Sequence, residues 1–78
     1  MNMQFIAFYN QNEFGDVLLN YRRKQNITQE ELAEMLDVSI RTVSKWEQGR
    51  IPCTKNLNKV LNLPDFKVIY DNYYKERA

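Results

Sequence analysis

The stretch TQEELAEMLDVSIRTVSKWEQG, Thr28 to Gly49, decides the fold. It opens with threonine followed three residues later by Glu31, the pattern of a capping box. Glu30 and Glu31 suit the positive end of a helix dipole. Leu32, Ala33 and Leu36, with Met35 beside them, give that helix an apolar side, and it is predicted over residues 28–36. Ser39 can cap a second helix over residues 39–48, with Gly49 as its stop. On a helical wheel Val43, Trp46 and Glu47 share one side of that second helix. Arg41, Ser44, Lys45 and Gln48 share the other. One face is for packing, apart from a single carboxylate, and the opposite face is a row of hydrogen-bonding groups.

About three residues join the two helices. So short a link suits helices that cross steeply, the helix-turn-helix arrangement. The crossing needs a small residue, and Ala33 is there. The turn needs a residue tolerant of left-handed backbone angles, which is usually glycine. Asp37 is an acceptable substitute. Val43 and Trp46 can pin the second helix to the first, and Val38 can fill the junction.

Working outward, Phe14, Leu18 and Tyr21 follow i, i+4, i+7 spacing, with Gly15 near the start. They predict a helix over residues 14–25, ended by Asn26. Downstream, Pro52 cannot easily continue the second helix. Thr54 can cap a short helix that turns Leu57, Val60 and Leu61 inward. After Pro64, the spacing of Phe66, Ile69, Tyr70 and Tyr73 predicts a last helix over residues 65–75. No strand pattern competes. The sequence therefore predicts an all-α, compact four- to five-helix bundle. It divides into an N-terminal extension (1–13), a helix-turn-helix domain (14–63) and a C-terminal helix (64–78) that is a candidate dimerisation segment. The extension could be helical or extended.

The chain has 78 residues, so one small domain is expected. No apolar run reaches the roughly 18 residues of a membrane span, and MNMQFIAFYN lacks the basic leader and cleavage site of a signal peptide. The chain has one cysteine, Cys53, and no histidine. No intrachain disulfide can form, which fits a cytoplasmic setting, and no zinc site or phosphate-binding glycine loop is present. The expectation is a non-enzyme without metal or cofactor. The net charge is only +1, but it is unevenly spread. Residues 28–37 carry four acids and no cation, whereas residues 38–59 carry Arg41, Lys45, Arg50, Lys55 and Lys59 against Glu47. Arg22, Arg23 and Lys24 add a basic cluster upstream. A neutral total thus conceals a basic face and an acidic back.

Residues 14–61 resemble the helix-turn-helix domain of the Cro/C1-type, or XRE, family of phage repressors and bacterial regulators. Arg22 in YRRKQNIT, then TQEELAEML, VSIRTVSKWEQG and Pro52 carry the resemblance. Asp37 departs from the family's usual turn glycine, and the helix after Thr54 is shorter than many members have. The resemblance implies a lambda-repressor-like fold that binds double-stranded DNA, with the helix over 39–48 in the major groove. It implies that Ile40, Arg41, Thr42 and Lys45 face bases, and the wheel adds Ser44 and Gln48, the latter nearer the backbone. Arg41 can donate twice to guanine O6 and N7, and Ile40 can touch a thymine methyl. Gln29, at a helix start, is implied as a phosphate contact. Arg50, Lys55 and Lys59 are expected beside the other strand, and Arg23 or Lys24 can assist. Glu47 would be costly unpaired on a packing face, and the resemblance supplies Arg22 as its structural ion-pair partner. Trp46 is expected in the core.

The function expected is transcriptional regulation as a repressor, and the resemblance implies a bacterial or phage-encoded protein of a prophage or mobile element, or a small controller protein of a restriction-modification system. The protein would work as a homodimer on a palindromic operator. The alternative is an antitoxin or other interaction module that binds a partner protein. Phe5, Ile6, Phe8 and Tyr9 at one end and Tyr70, Tyr73 and Tyr74 at the other could serve a dimer interface, a partner site or ordinary packing.

Overall fold

The computed structural model describes residues 11–77, with five helices: α1 (Gln11–Gln25), α2 (Gln29–Leu36), α3 (Ile40–Glu47), α4 (Thr54–Leu61) and α5 (Phe66–Arg77). The aromatics at positions 5, 8 and 9 and Ile6 lie outside the described residues. No described helix is long and apolar enough to cross a membrane.

The helix boundaries follow from local chemistry. Thr28 Oγ1 accepts from the Glu31 amide at 3.0 Å, and the Glu31 carboxylate accepts from the Thr28 amide at 2.8 Å. The capping box at α2 is therefore complete. Asp37 closes α2 in the left-handed region, at φ 57° and ψ 48°. An aspartate tolerates that conformation better than a branched or bulky residue would. The Val38 amide then donates to Ala33 across the turn at 3.0 Å. Ser39 caps α3 through the Thr42 amide at 3.1 Å. Asn26, with φ 59°, ends α1 as its residue type foretold.

Three boundaries differ from the sequence reading. Helix α1 begins at Gln11, three residues before Phe14, so the proposed extension is already helical at its end. Cys53 occupies the N-cap of α4 without any side-chain cap bond, and Thr54 is the first helical residue rather than the cap. Asp65 has φ 61° and so cannot open α5. Helix α5 starts at Phe66 and continues two residues beyond the predicted end.

One core joins all five helices. It contains Phe14, Val17, Leu18 and Tyr21 of α1, and Leu32, Ala33 and Leu36 of α2. Val43 and Trp46 of α3 and Leu57 and Val60 of α4 continue it, followed by Leu63 and by Phe66, Tyr70 and Tyr73 of α5. Tyr70 and Tyr73 are thus buried within the chain. Two tyrosines fasten α5 and the turn before it to α1 by their polar tips as well as their rings. The Tyr21 hydroxyl donates to the Pro64 carbonyl at 2.7 Å, and the Tyr74 hydroxyl donates to Glu13 Oε1 at 2.6 Å. The Tyr21 and Phe66 rings lie 5.2 Å apart. Burial raises the Tyr74 hydroxyl pKa far above its ordinary value, and the hydrogen bond to Glu13 adds to the rise. Burial does the same, less strongly, for Tyr21 and Tyr70.

Candidate nucleic-acid interface

Helix α3 divides as its wheel predicts. Val43 is fully buried and Trp46 nearly so. On the other side Arg41, Lys45 and Gln48 are exposed, while Thr42 and Ser44 are half-buried. Ile40 is 45% exposed, unusual for an isoleucine, and sits in the first turn beside the cap. Among the described residues the side chains of Arg41 and Lys45 have no internal hydrogen bond or ion pair. Their charged groups are spaced one helical turn apart, and both remain available to an external acceptor. Thr42 and Ser44 are partly committed. The Thr42 hydroxyl lies 2.9 Å from Ser39 Oγ, and Gln48 Nε2 donates to Ser44 Oγ at 3.2 Å.

Past the helix end the chain turns back on itself. Gly49 has φ 113°, a conformation that side chains rarely adopt. The Arg50 amide then donates to the Lys45 carbonyl at 3.0 Å. This turn brings Lys45, Gln48 and Arg50 around a small open cavity of about 130 Å³. Two cations and an amide around such a space suit an oxyanion, and the cations outweigh the unfavourable negative end of the α3 dipole. Lys55 stands exposed in the first turn of α4.

The inner end of α3 is held by Glu47. Arg22 Nε donates to Glu47 Oε2 at 2.8 Å, and Arg22 Nη2 reaches Oε1 at 3.3 Å. The Glu47 side chain is 8% exposed and that of Arg22 20%. Such a two-pronged guanidinium–carboxylate contact fixes direction as well as distance. Arg22 Nη1 also donates to the Ile27 carbonyl at 3.3 Å, which ties the α1–α2 link into the same network.

Besides Gln48, two more residues read from the sequence as phosphate contacts have internal partners. Gln29 Nε2 donates to Glu47 Oε1 at 2.9 Å. Lys59 Nζ donates to the Leu36 carbonyl at 3.2 Å, at the negative end of α2. Each keeps further N–H groups, since an amide nitrogen has two and an ammonium three. The sequence signalled neither partner, because both bonds join elements that become neighbours only on folding.

The acids of α2 and its C-cap face solvent. Glu30, Glu31, Glu34 and Asp37 are all exposed, as is Met35 at 47%. Most acids of the motif thus lie on α2 or its cap, and its cations lie on α3 and beyond.

A helix-turn-helix family model matches residues 18–68, including the whole of α2, α3 and α4. The chain belongs to the XRE-type helix-turn-helix family. The matched segment is a domain of the helix-turn-helix DNA-binding type. A segment of 38 residues is 50% identical to the HTH-type transcriptional activator BcrR of Enterococcus faecalis. That segment is 49% of this chain and 19% of the relative, so the shared part is a fraction of the longer protein. No solved structure matches the chain. Within this XRE-type domain, the left-handed Asp37 stands at the position the family usually gives to glycine.

Proposed function

We propose that the chain reads duplex DNA with α3 in the major groove and regulates transcription by occupying an operator. The observation that carries this reading is the pairing of Arg41 and Lys45. They are exposed, without internal partners and one turn apart, on a helix whose other face is buried. Ile40, Arg41, Thr42, Ser44 and Lys45 meet base edges in this arrangement, with Arg41 bidentate to a guanine. Gln48 and Arg50 take a phosphate in their shared cavity with Lys45. Lys55, and the spare N–H groups of Gln29 and Lys59, extend the backbone grip. A domain this small makes few phosphate contacts. Pairing as a homodimer on a palindrome, with half-sites roughly 34 Å apart, is the economical route to affinity. The sign we assign is repression, the direct result of occupying DNA that polymerase needs. The activator role belongs to the named relative, and the matched stretch is too small a part of that protein to carry the sign here.

The test is selection of bound duplexes from a random pool by wild type and Arg41→Ala in parallel. An enriched palindrome that loses its guanine preference in the variant supports the reading. No enrichment at moderate salt would refute it. A promoter reporter carrying the selected site then reads the sign.

A further inference from the structure

Gly15 is buried in α1. A Cβ placed there would stand 2.6 Å from the Glu47 carbonyl oxygen. It would also lie 3.0 Å from the Glu47 carbonyl carbon and 3.0 Å from the Trp46 carbonyl oxygen. All three atoms are backbone, so no side-chain rotation can make room. The contact between α1 and the last turn of α3 is backbone against backbone.

The place of this contact gives it a functional meaning. Glu47 is the residue that Arg22 and Gln29 hold by its side chain. The other end of α3 is fixed separately, by the Ser39 cap and the Val38–Ala33 hydrogen bond. A helix of eight residues is about 12 Å long, and anchoring both ends sets its direction. We propose that Gly15 is a positioning residue for DNA recognition. Its missing side chain seats the last turn of α3, and so sets the angle at which Arg41, Lys45 and the Lys45–Gln48–Arg50 cavity meet the duplex. The inference rests on the reading of α3 as the recognition helix. Ordinary van der Waals contact begins at 3.4 Å, so a methyl group would drive the Glu47 carbonyl back by roughly 0.8 Å. Binding constellations tolerate displacements of roughly 0.5 Å.

The experiment compares Gly15→Ala with Phe66→Leu, a buried residue of α5, the helix that carries none of the DNA contacts. Both are measured in enough sucrose to show full helix by circular dichroism, which separates positioning from stability. The probe is the duplex that wild type enriches from a random pool. Gly15→Ala is expected to bind roughly tenfold more weakly, and Phe66→Leu within about twofold of wild type, as for a change remote from the contact. Amide NMR shifts of Gly15→Ala are expected to move across residues 44–50. Equal affinities of the two variants would overturn the proposal, as would shifts confined to α1. Failure of Gly15→Ala to fold even in sucrose would also overturn it, because Gly15 would then serve the bundle as a whole. Were wild type to select no duplex, the recognition-helix reading would fall by itself, and the amide shifts would still decide whether Gly15 positions α3.

Discussion

Glu47 and Lys45 stand two residues apart on α3 and are treated in opposite ways. Glu47 is almost enclosed and accepts hydrogen bonds from Arg22 and Gln29, on two other helices. Lys45 is exposed and its side chain has no internal partner among the described residues. The inner side of the helix uses all of its polar capacity to fix where the helix lies. The outer side keeps that capacity for something outside the chain. Side chains on one face can therefore change the fold's stability, and those on the other can change what is recognised, with little exchange between the two.

Substitutions along α3 can break this division. Truncating the inner face has the largest effect: Trp46→Ala should cost about 3–5 kcal/mol in urea unfolding, by loss of buried aromatic area and the cavity left behind. Next is Glu47→Gln, which leaves the Arg22 charge half-buried without its counterion. Because Arg22 is 20% exposed, water softens the full penalty of a broken buried pair, and the loss should be roughly 2–3 kcal/mol. A melting temperature equal to wild type would show that Glu47 is as dispensable as a surface acid. On the outer face, Arg41→Ala should leave unfolding within about 0.5 kcal/mol of wild type. It should nevertheless weaken binding to the selected duplex by about 1–3 kcal/mol. A comparable loss of stability would erase the distinction between the faces.

The smallest effect lies away from α3 and serves as its control. The hydroxyls of Tyr21, Tyr70 and Tyr74 are held neutral by burial, their pKa values raised above the ordinary 10.0. Folding thus favours their protonated form. That contribution is complete below pH 10 and is lost as the pH climbs towards the raised values. The urea midpoint should therefore hold up to about pH 10 and fall above it, and Tyr74→Phe should flatten part of the fall. An unchanged slope in that variant would mean that Tyr74 ionises as freely folded as unfolded.

Much of this was legible in the sequence where the controlling chemistry is local. Thr28 with Glu31, and Ser39 before Thr42, act through amides three residues away, so their spacing alone suffices. Asn26 and Asp37 announce left-handed turns by residue type. Asp65 has the same property but follows Pro64, and it reads as the first residue of a helix when it is in fact the turn before it. The division of α3 into two faces is likewise a matter of periodicity. What stayed hidden depends on distant parts of the chain coming together. The Gln29 amide on Glu47, the Lys59 ammonium on Leu36 and the Tyr74 hydroxyl on Glu13 span 18, 23 and 61 positions. Gly15 looked like punctuation, because only the folded backbone reveals how closely Glu47 approaches.

The closure of α5 on α1 has a consequence for how the protein is made. The ribosome releases α1 first, yet Tyr21 and Glu13 find their partners only at Pro64 and Tyr74. Until the last dozen described residues emerge, the side of α1 that will meet Phe66 and Tyr74 stays uncovered by them. The pair α2–α3 needs no such wait, because its caps and turn are complete within a score of residues. Nascent chains should therefore acquire the shape of the reading element early and its permanence late.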